Sequence, residues 1–165
     1  MRIIILGNGG HARVCAEALG WPIIFQDNEI GILDSDHLIL GMGDLTIRRM
    51  LFERFGGHRF ITVKHPQSIV SESCKLGAGV QIMAGTVIQS SAKCGDNIIL
   101  NTRASVDHDC IIGNHCHIAP GAILCGDVTV GEGCFIGAGA IIPEGSVVPA
   151  GTFVKAGSVW RGSGA

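Results

Sequence analysis

The chain predicts an α/β subdomain on a short parallel sheet, followed by a parallel β-helix of about five triangular coils. Two observations lead there: an aliphatic residue recurs at every sixth position from Val70 to Val154, and a buried-strand pattern at residues 2–6 runs through a glycine turn into a helix-forming stretch. Glycine content is the third sign. Twenty-five glycines in 165 residues would suggest disorder, but here they are spaced regularly among Ile, Val and Ala in a chain that is 47% apolar, which asks for a folded repeat.

The first element is the strand Arg2–Leu6, which leads into Gly7-Asn8-Gly9-Gly10-His11, and Ala12–Leu19 then reads as a helix. Backbone N–H groups at such a helix N-terminus can approach phosphate, and Gly7, Gly9 and Ala12 loosely follow the G-x-G-x-x-G/A spacing of a Rossmann-like turn. Asp27 follows the apolar Ile23-Ile24-Phe25 at the place where an acid commonly meets ribose. Further strands near 23–25, 38–40 and 59–61 and a second helix near 44–55 complete this unit. It is too short for two mononucleotide halves, so a single nucleotide is the expected ligand. A second glycine turn, Gly41-Met42-Gly43, follows the strand ending at Leu40 and should line the same crevice as Gly7–His11. His65-Pro66 marks the boundary, because the residue before proline is pushed out of helix. The domains expected are 1–66, Rossmann-like and nucleotide-binding, and 67–165, the β-helix.

In the second unit the six-residue series Val70, Leu76, Ile82, Ile88, Cys94, Leu100, Val106, Ile112, Ile118, Leu124, Val130, Ile136, Ile142, Val148, Val154 is aliphatic at all but Cys94. The fifth position of each hexad is mostly small or β-branched, as at Cys74, Thr86, Ala104, Cys110, Cys116 and Cys134. Each hexad supplies one short strand and one corner. Three hexads close a turn, and turns stack at about 4.8 Å. Periodicity alone does not set the hand of the coil. Core filling accounts for most of the seven cysteines, and with no C-x-x-C among them no metal is assigned.

The net charge of −2 and a pI near 6.4 offer no basic field for nucleic acid. No segment reads as a signal peptide or approaches the length of a membrane helix, so a cytoplasmic protein is expected.

Gly7–His11, Asn101-Thr102, Val106-Asp107-His108-Asp109-Cys110, Ile112-Gly113, His117 and Gly126–Gly131 together resemble the amino-sugar N-acetyltransferases and sialic acid O-acetyltransferases of the bacterial hexapeptide-repeat class. The resemblance covers nearly the whole chain. It is closest to enzymes acetylating a UDP-linked 4-amino-4,6-dideoxy sugar. It implies a left-handed coil, acetyl-CoA as co-substrate with no metal, and a homotrimer with sites between neighbouring β-helices. By matched position it implies that His108 is the general base, flanked by Asp107 and Asp109, and that Asn101 is a nearby polar residue. It further implies that His117 contacts the thioester end of acetyl-CoA, Gly126 donates to the thioester oxygen, and Ala138 and Ala156 line the pantetheine groove. Gly7, Asn8, Gly9, Gly10, His11 and Asp27 match the nucleotide-sugar site, which Gly41 and Gly43 should border.

The repeat supports part of this by itself. Residues eighteen apart stack, so Gly126 should lie over His108, pairing a base with a backbone donor. Asp109 is preferred to Asp107 as the carboxylate fixing the His108 tautomer. His115 and His117 alternate, and His115 is read as structural. The same base would serve a hydroxyl acceptor, such as sialic acid. Other readings are a γ-class carbonic anhydrase, which needs a different histidine spacing, and a nucleotide-sugar-binding protein without activity. Asn28 stands where some relatives carry a second acid, the N-terminal unit is shorter than theirs, and Gly164 replaces a proline of their closing motif.

Overall fold

A computed structural model describes residues 2–20, 24–26 and 31–162. Its first unit is a four-stranded parallel sheet of β1 (Ile3–Leu6), β2 (Ile24–Gln26), β3 (His37–Leu40) and β4 (Arg59–Phe60), in the order β2-β1-β3-β4. Helix α1 (Gly10–Leu19) lies between β1 and β2 in the chain, and α2 (Leu45–Arg54) between β3 and β4. Both helices begin and end where their residues dictate. Gly9 caps α1, and Gly20 ends it in the left-handed conformation at φ 63°. Asp44 caps α2 by accepting the Ile47 N–H at 2.9 Å. These bounds fall within a residue or so of those expected.

The second unit is a parallel β-helix of two-residue strands. One side stacks β5 (Val63–Lys64), β8 (Gln81–Ile82), β11 (Ile99–Leu100), β14 (His117–Ile118), β17 (Phe135–Ile136) and β20 (Phe153–Val154). A second stacks β6 (Ile69–Val70), β9 (Val87–Ile88), β12 (Ser105–Val106), β15 (Ile123–Leu124) and β18 (Ile141–Ile142). The third stacks β7 (Lys75–Leu76), β10 (Lys93–Cys94), β13 (Ile111–Ile112), β16 (Thr129–Val130) and β19 (Val147–Val148). Every register is eighteen residues, as the hexads require, for example Ile99 to His117 to Phe135. The arrangement fits a left-handed coil.

The aliphatic residue of each hexad is the second of its strand and points inward. From Ile82 to Val154 these residues are buried in one continuous core, joined by the fifth-position residues Ala92, Ala104, Cys110, Cys116, Ala122, Cys134 and Ala140. The cysteines are free thiols. Cys110, Cys116 and Cys134 donate to the carbonyls of Cys125, Gly131 and Pro149, which supports their reading as core filling.

The two units share a core rather than meeting across water. Ile3, Ile5, Ala12, Cys15, Ala18 and Ile39 of the first pack with Val63 and Met83 of the coil. The ladder of the β-helix already includes Val63–Lys64, paired with Gln81–Ile82, so the chain joins the coil just before His65-Pro66. The N-terminal sheet thus covers the lower part of the first side, while Phe153 at its top is exposed.

Candidate active site

His108 lies in the corner between β12 and β13. Its Nδ1 is 2.8 Å from Asp109 Oδ2, while Asp107 accepts the His108 backbone N–H at 2.8 Å. The two acids therefore divide their work. Asp109 holds the ring and Asp107 fixes the backbone that carries it. Asp109 is one of six non-glycine residues with positive φ among the described residues, at 60°, a conformation aspartate tolerates better than most. With Nδ1 engaged, Nε2 is left as the reactive nitrogen. The hydrogen bond that Asp109 accepts raises the His108 pKa above its ordinary value; partial desolvation opposes this, and the charges of Asp107, Asp109 and Glu144 add to it.

Gly126 stacks on His108 as the eighteen-residue register predicts. A β-carbon built there would stand 2.7 Å from both Cε1 and Nε2 of the imidazole, so the ring rests on bare Cα. The neighbouring Asp127 N–H donates to the His108 carbonyl at 2.9 Å, and the Gly126 carbonyl accepts from Gly145. Among the described residues no acceptor takes the Gly126 N–H, which leaves it available beside the ring.

Asn101 and His117 form a second cluster. Asn101 Oδ1 accepts the Thr102 N–H at 2.8 Å, which orients the amide so that its Nδ2 donates to His117 Nε2 at 3.1 Å. An Nε2 that accepts leaves the proton on Nδ1. His117 is buried, and that burial, with the nearby His11 and Arg48, lowers its pKa to about 4. The Gly43 backbone opposes the fall, but no well-formed hydrogen bond reaches Nδ1, which is buried without a partner. His117 is thus neutral at ordinary pH and carries an unspent N–H. Phe135 packs edge-on against it at 4.9 Å, and Phe153 stacks on Phe135 at 5.3 Å.

The two glycine turns come together beside this cluster because β1 and β3 are paired, Leu6 opposite Leu40. A β-carbon on Gly7 would lie 3.2 Å from the Gly41 carbonyl, and one on Gly43 would lie 3.8 Å from His117 Cε1. The order β2-β1-β3-β4 makes the gap beyond the carboxyl ends of β1 and β3 a topological switch point, where open parallel sheets bind ligands. Gly9 and Gly10 open α1 there, and the Asn8 carbonyl accepts from Arg13 at 3.3 Å. His11 Nε2 meets Gln81 Oε1 at 2.7 Å, an acceptor-only atom, so His11 carries its proton there. Burial lowers the His11 pKa. Asp27 lies outside the described residues. Ala138 and Ala156 share the corner above Thr102 and Pro120, where Gly139 and Gly157 donate to the carbonyls of Pro120 and Ala138.

Within one chain these parts do not converge. His108 occupies the corner between the second and third sides of the prism, whereas His117 starts a strand of the first side, which faces away from that corner. His115, expected on a strand with His117, instead occupies a corner at φ 59°, because the strands are only two residues long. Among the described residues no group of three His, Cys, Asp or Glu side chains is placed to hold a metal ion.

Residues 109–144 match the model of the family described as bacterial transferase hexapeptide (six repeats). Among solved structures, the acetyltransferase domain of PglB from Neisseria gonorrhoeae FA1090 is 31% identical, covering 97% of this chain and 91% of that one, with a TM-score of 0.92. PerB from Caulobacter crescentus, solved with CoA and GDP-perosamine, is 35% identical over 98% of this chain and 89% of that one, with a TM-score of 0.87. The chain belongs to the hexapeptide-repeat nucleotide-sugar N-acetyltransferase family. A further relative, the GDP-perosamine N-acetyltransferase of Escherichia coli O157:H7, is 34% identical over 75 residues, 46% of this chain; that match spans only 34% of the relative's length.

Sequence reasoning about this family member overlooked three of the residues around the site. Arg48 is wholly buried yet charged, Gln81 joins it to His11, and Phe135 walls His117. Phe135 was within reach, since it lies eighteen residues after His117 on the same outward row. Gln81 sits on that same row two coils before His117, but nothing periodic announces Arg48, and the pair acquires meaning only once α2 is docked on the coil.

Proposed function

We propose that this protein transfers the acetyl group of acetyl-CoA to the amino group of a nucleotide-linked 4-amino sugar. The observation that carries this reading is the His108–Asp109 pair seated on Gly126, in a chain that aligns along 98% of its length with an enzyme solved with CoA and GDP-perosamine. His108 Nε2 takes the proton from the amine as its nitrogen attacks the thioester carbonyl carbon. The Gly126 N–H donates to the oxygen on which negative charge develops. When the C–S bond breaks, protonated His108 returns its proton to the departing sulfur, so the products are the amide and free CoA thiol. His117 lines the donor's acyl end, and Asn101 keeps that ring in a single tautomer. Ala138 and Ala156 leave room along their corner for the pantetheine arm. The domain 1–66, with Gly7–His11, Asp27, Gly41 and Gly43, takes the nucleotide sugar, and 67–165 carries the chemistry. The family resemblance favours UDP, whereas PerB was solved with GDP-perosamine, so the base is part of the test. A cytoplasmic location follows from this reading, since acetyl-CoA and nucleotide sugars are made there.

Purified protein given acetyl-CoA and a panel of UDP-, GDP- and dTDP-linked 4-amino-6-deoxy sugars, with sialic acid as comparator, should release thiol with one of the amino sugars. Release with sialic acid alone would overturn N-acetylation.

The opposed placement of His108 and His117 supports a site shared with a second copy, and we place the complete site between the subunits of a homotrimer. The outward row Ile69, Val87, Ser105, Ile123, Ile141 and Val159 runs up the second side as a ridge that is apolar at every position but Ser105, with Ile69 68% and Val159 48% exposed. Burying it would bring the His108 corner of one chain to the Asn101–Ala138 corner of the next. Mixed and re-associated His108→Ala and His117→Ala proteins should therefore regain turnover that neither shows alone, because some interfaces combine the two intact halves. Persistent inactivity of the mixture, with subunit exchange demonstrated, would place both residues in one chain's site.

A further inference from the structure

Arg48 is the one fully buried cation among the described residues, and no carboxylate pairs with it. Burying an unpaired charge is expensive, so its contacts are informative. Nη1 donates to the carbonyls of Leu40 at 2.6 Å and Met42 at 3.1 Å and to Gln81 Oε1 at 3.2 Å; Nη2 donates to Asn97 Oδ1 at 2.7 Å. The first two acceptors flank Gly41 and so belong to the second glycine turn. Gln81 also donates to the Leu40 carbonyl and accepts from His11. Asn97 passes on a hydrogen bond from its Nδ2 to His115 Nδ1 at 2.9 Å. Asn97 and His115 both hold positive φ, at 54° and 59°, in a corner column otherwise made by Gly79, Gly133 and Gly151. The coil departs from glycine in that column where its side chains meet this network.

We propose that Arg48 is a positioning residue of the transfer site, whose guanidinium sets the Gly41–Gly43 turn against His117 on one side and, through Gln81, fixes the ring of His11 on the other. This rests on the reading of His117 and His11 as contacts to the two substrates. Arg48 touches neither substrate in that reading. It acts through the turn, since Gly43 abuts His117 and Gly41 is packed so closely that a β-carbon there would stand 2.7 Å from the Ala12 Cβ. A flexible turn would let the His117 ring rotate away from Asn101.

The electrostatics of the cluster agree with this geometry. Burial lowers the Arg48 pKa, to about 10, leaving it charged, and its field helps to keep both His117 and His11 unprotonated. Facing His117 are His11 from α1, Arg48 from α2 and the Gly43 backbone from the turn, while its coil neighbours Asn101 and Phe135 are uncharged. The other titratable group that interacts with the Arg48 charge is Cys15, whose thiol burial raises to about 12 and so keeps neutral. Burial lowers the His115 pKa first, and the charges that act on it are Arg49, Glu132, Glu53 and Asp96.

The test compares Arg48→Met and Arg48→Lys with wild type, by histidine ring NMR across pH and by kcat/KM for acetyl-CoA, on protein whose melting remains cooperative. In Arg48→Met the proton affinity of His117 should rise, its Nδ1–H tautomer should lose its dominance, and kcat/KM should fall on the order of 10²-fold through misplacement. Lysine keeps the charge but cannot fan out to four acceptors. It should restore the titration and leave much of the kinetic loss. Unchanged titration and tautomer in Arg48→Met overturns the proposal; so does wild-type kcat/KM in Arg48→Lys, which remains decisive if the methionine variant fails to fold. Silence of the wild-type enzyme towards every acceptor would defeat the acetyltransfer reading instead, while ring titration would still decide what Arg48 does to His117.

Discussion

Replacing His108 by alanine should reduce turnover by about 10²- to 10⁴-fold, the range over which a positioned general base acts, while leaving binding of CoA and nucleotide sugar intact. The separation follows from placement. His108 is half-exposed in a corner and fills no core, so its removal costs the coil nothing that packing supplied. The pH dependence carries the sign. The base works only when neutral, and the Asp109 hydrogen bond raises its pKa, so kcat/KM should climb with pH through a value above that of free histidine. Asp109→Asn removes the largest cause of that rise, and the limb should move to lower pH even as the rate falls, because the ring loses the partner that orients it. Isothermal titration with CoA and thiol-release kinetics between pH 5 and 9 would check both statements. A variant that turns over as fast as wild type would remove His108 from the reaction.

How much of this was readable beforehand depends on whether local or assembled geometry sets each feature. The hexads are local. An inward aliphatic at every sixth residue leaves no choice of strand position, and the eighteen-residue stacking of Gly126 on His108 follows from it by counting. Asp109 rather than Asp107 as the ring's partner was a preference the corner geometry bears out, since Asp107 turns to the backbone instead. The N-terminal elements were legible for a similar reason, as their ends carry Gly9, Gly20 and Asp44. The place of His115, though not its reading as structural, was mistaken because strand alternation was extended past a two-residue strand into a corner that turns it aside. Arg48 escaped entirely. An arginine at that position in α2 looks like one of a solvated pair with Arg49, and only docking of the helix against Gln81 and Asn97 distinguishes them. Arg49 stays outside and pairs with Glu53 and Glu132. Features created where two units meet have no period to reveal them.

The separation between stability and catalysis is sharpest at Gly126, where alanine should cost turnover about 10²-fold with little change in melting temperature. The added β-carbon would lie 2.7 Å from two atoms of the His108 ring, well inside contact distance, so something must move. What moves is an exposed side chain on a rotatable bond rather than backbone, and Gly126 is not among the positive-φ glycines that would resist alanine. The coil therefore survives while the base swings off its seat, breaking the hydrogen bond to Asp109 and carrying Nε2 away from the available Gly126 N–H. A control lies two corners earlier in the chain. At Gly113 the added carbon would meet the Glu132 backbone nitrogen at 2.7 Å, and no rotamer can relieve that clash. Gly113→Ala should lower the melting temperature by several degrees, as overpacking of about 1–3 kcal/mol does in a domain of this size. Measuring both variants by thermal melt and thiol release tests the distinction. Should Gly126→Ala keep wild-type turnover, the stacked ring would be incidental to catalysis; should it melt as early as Gly113→Ala, the glycine would serve the coil and not the base.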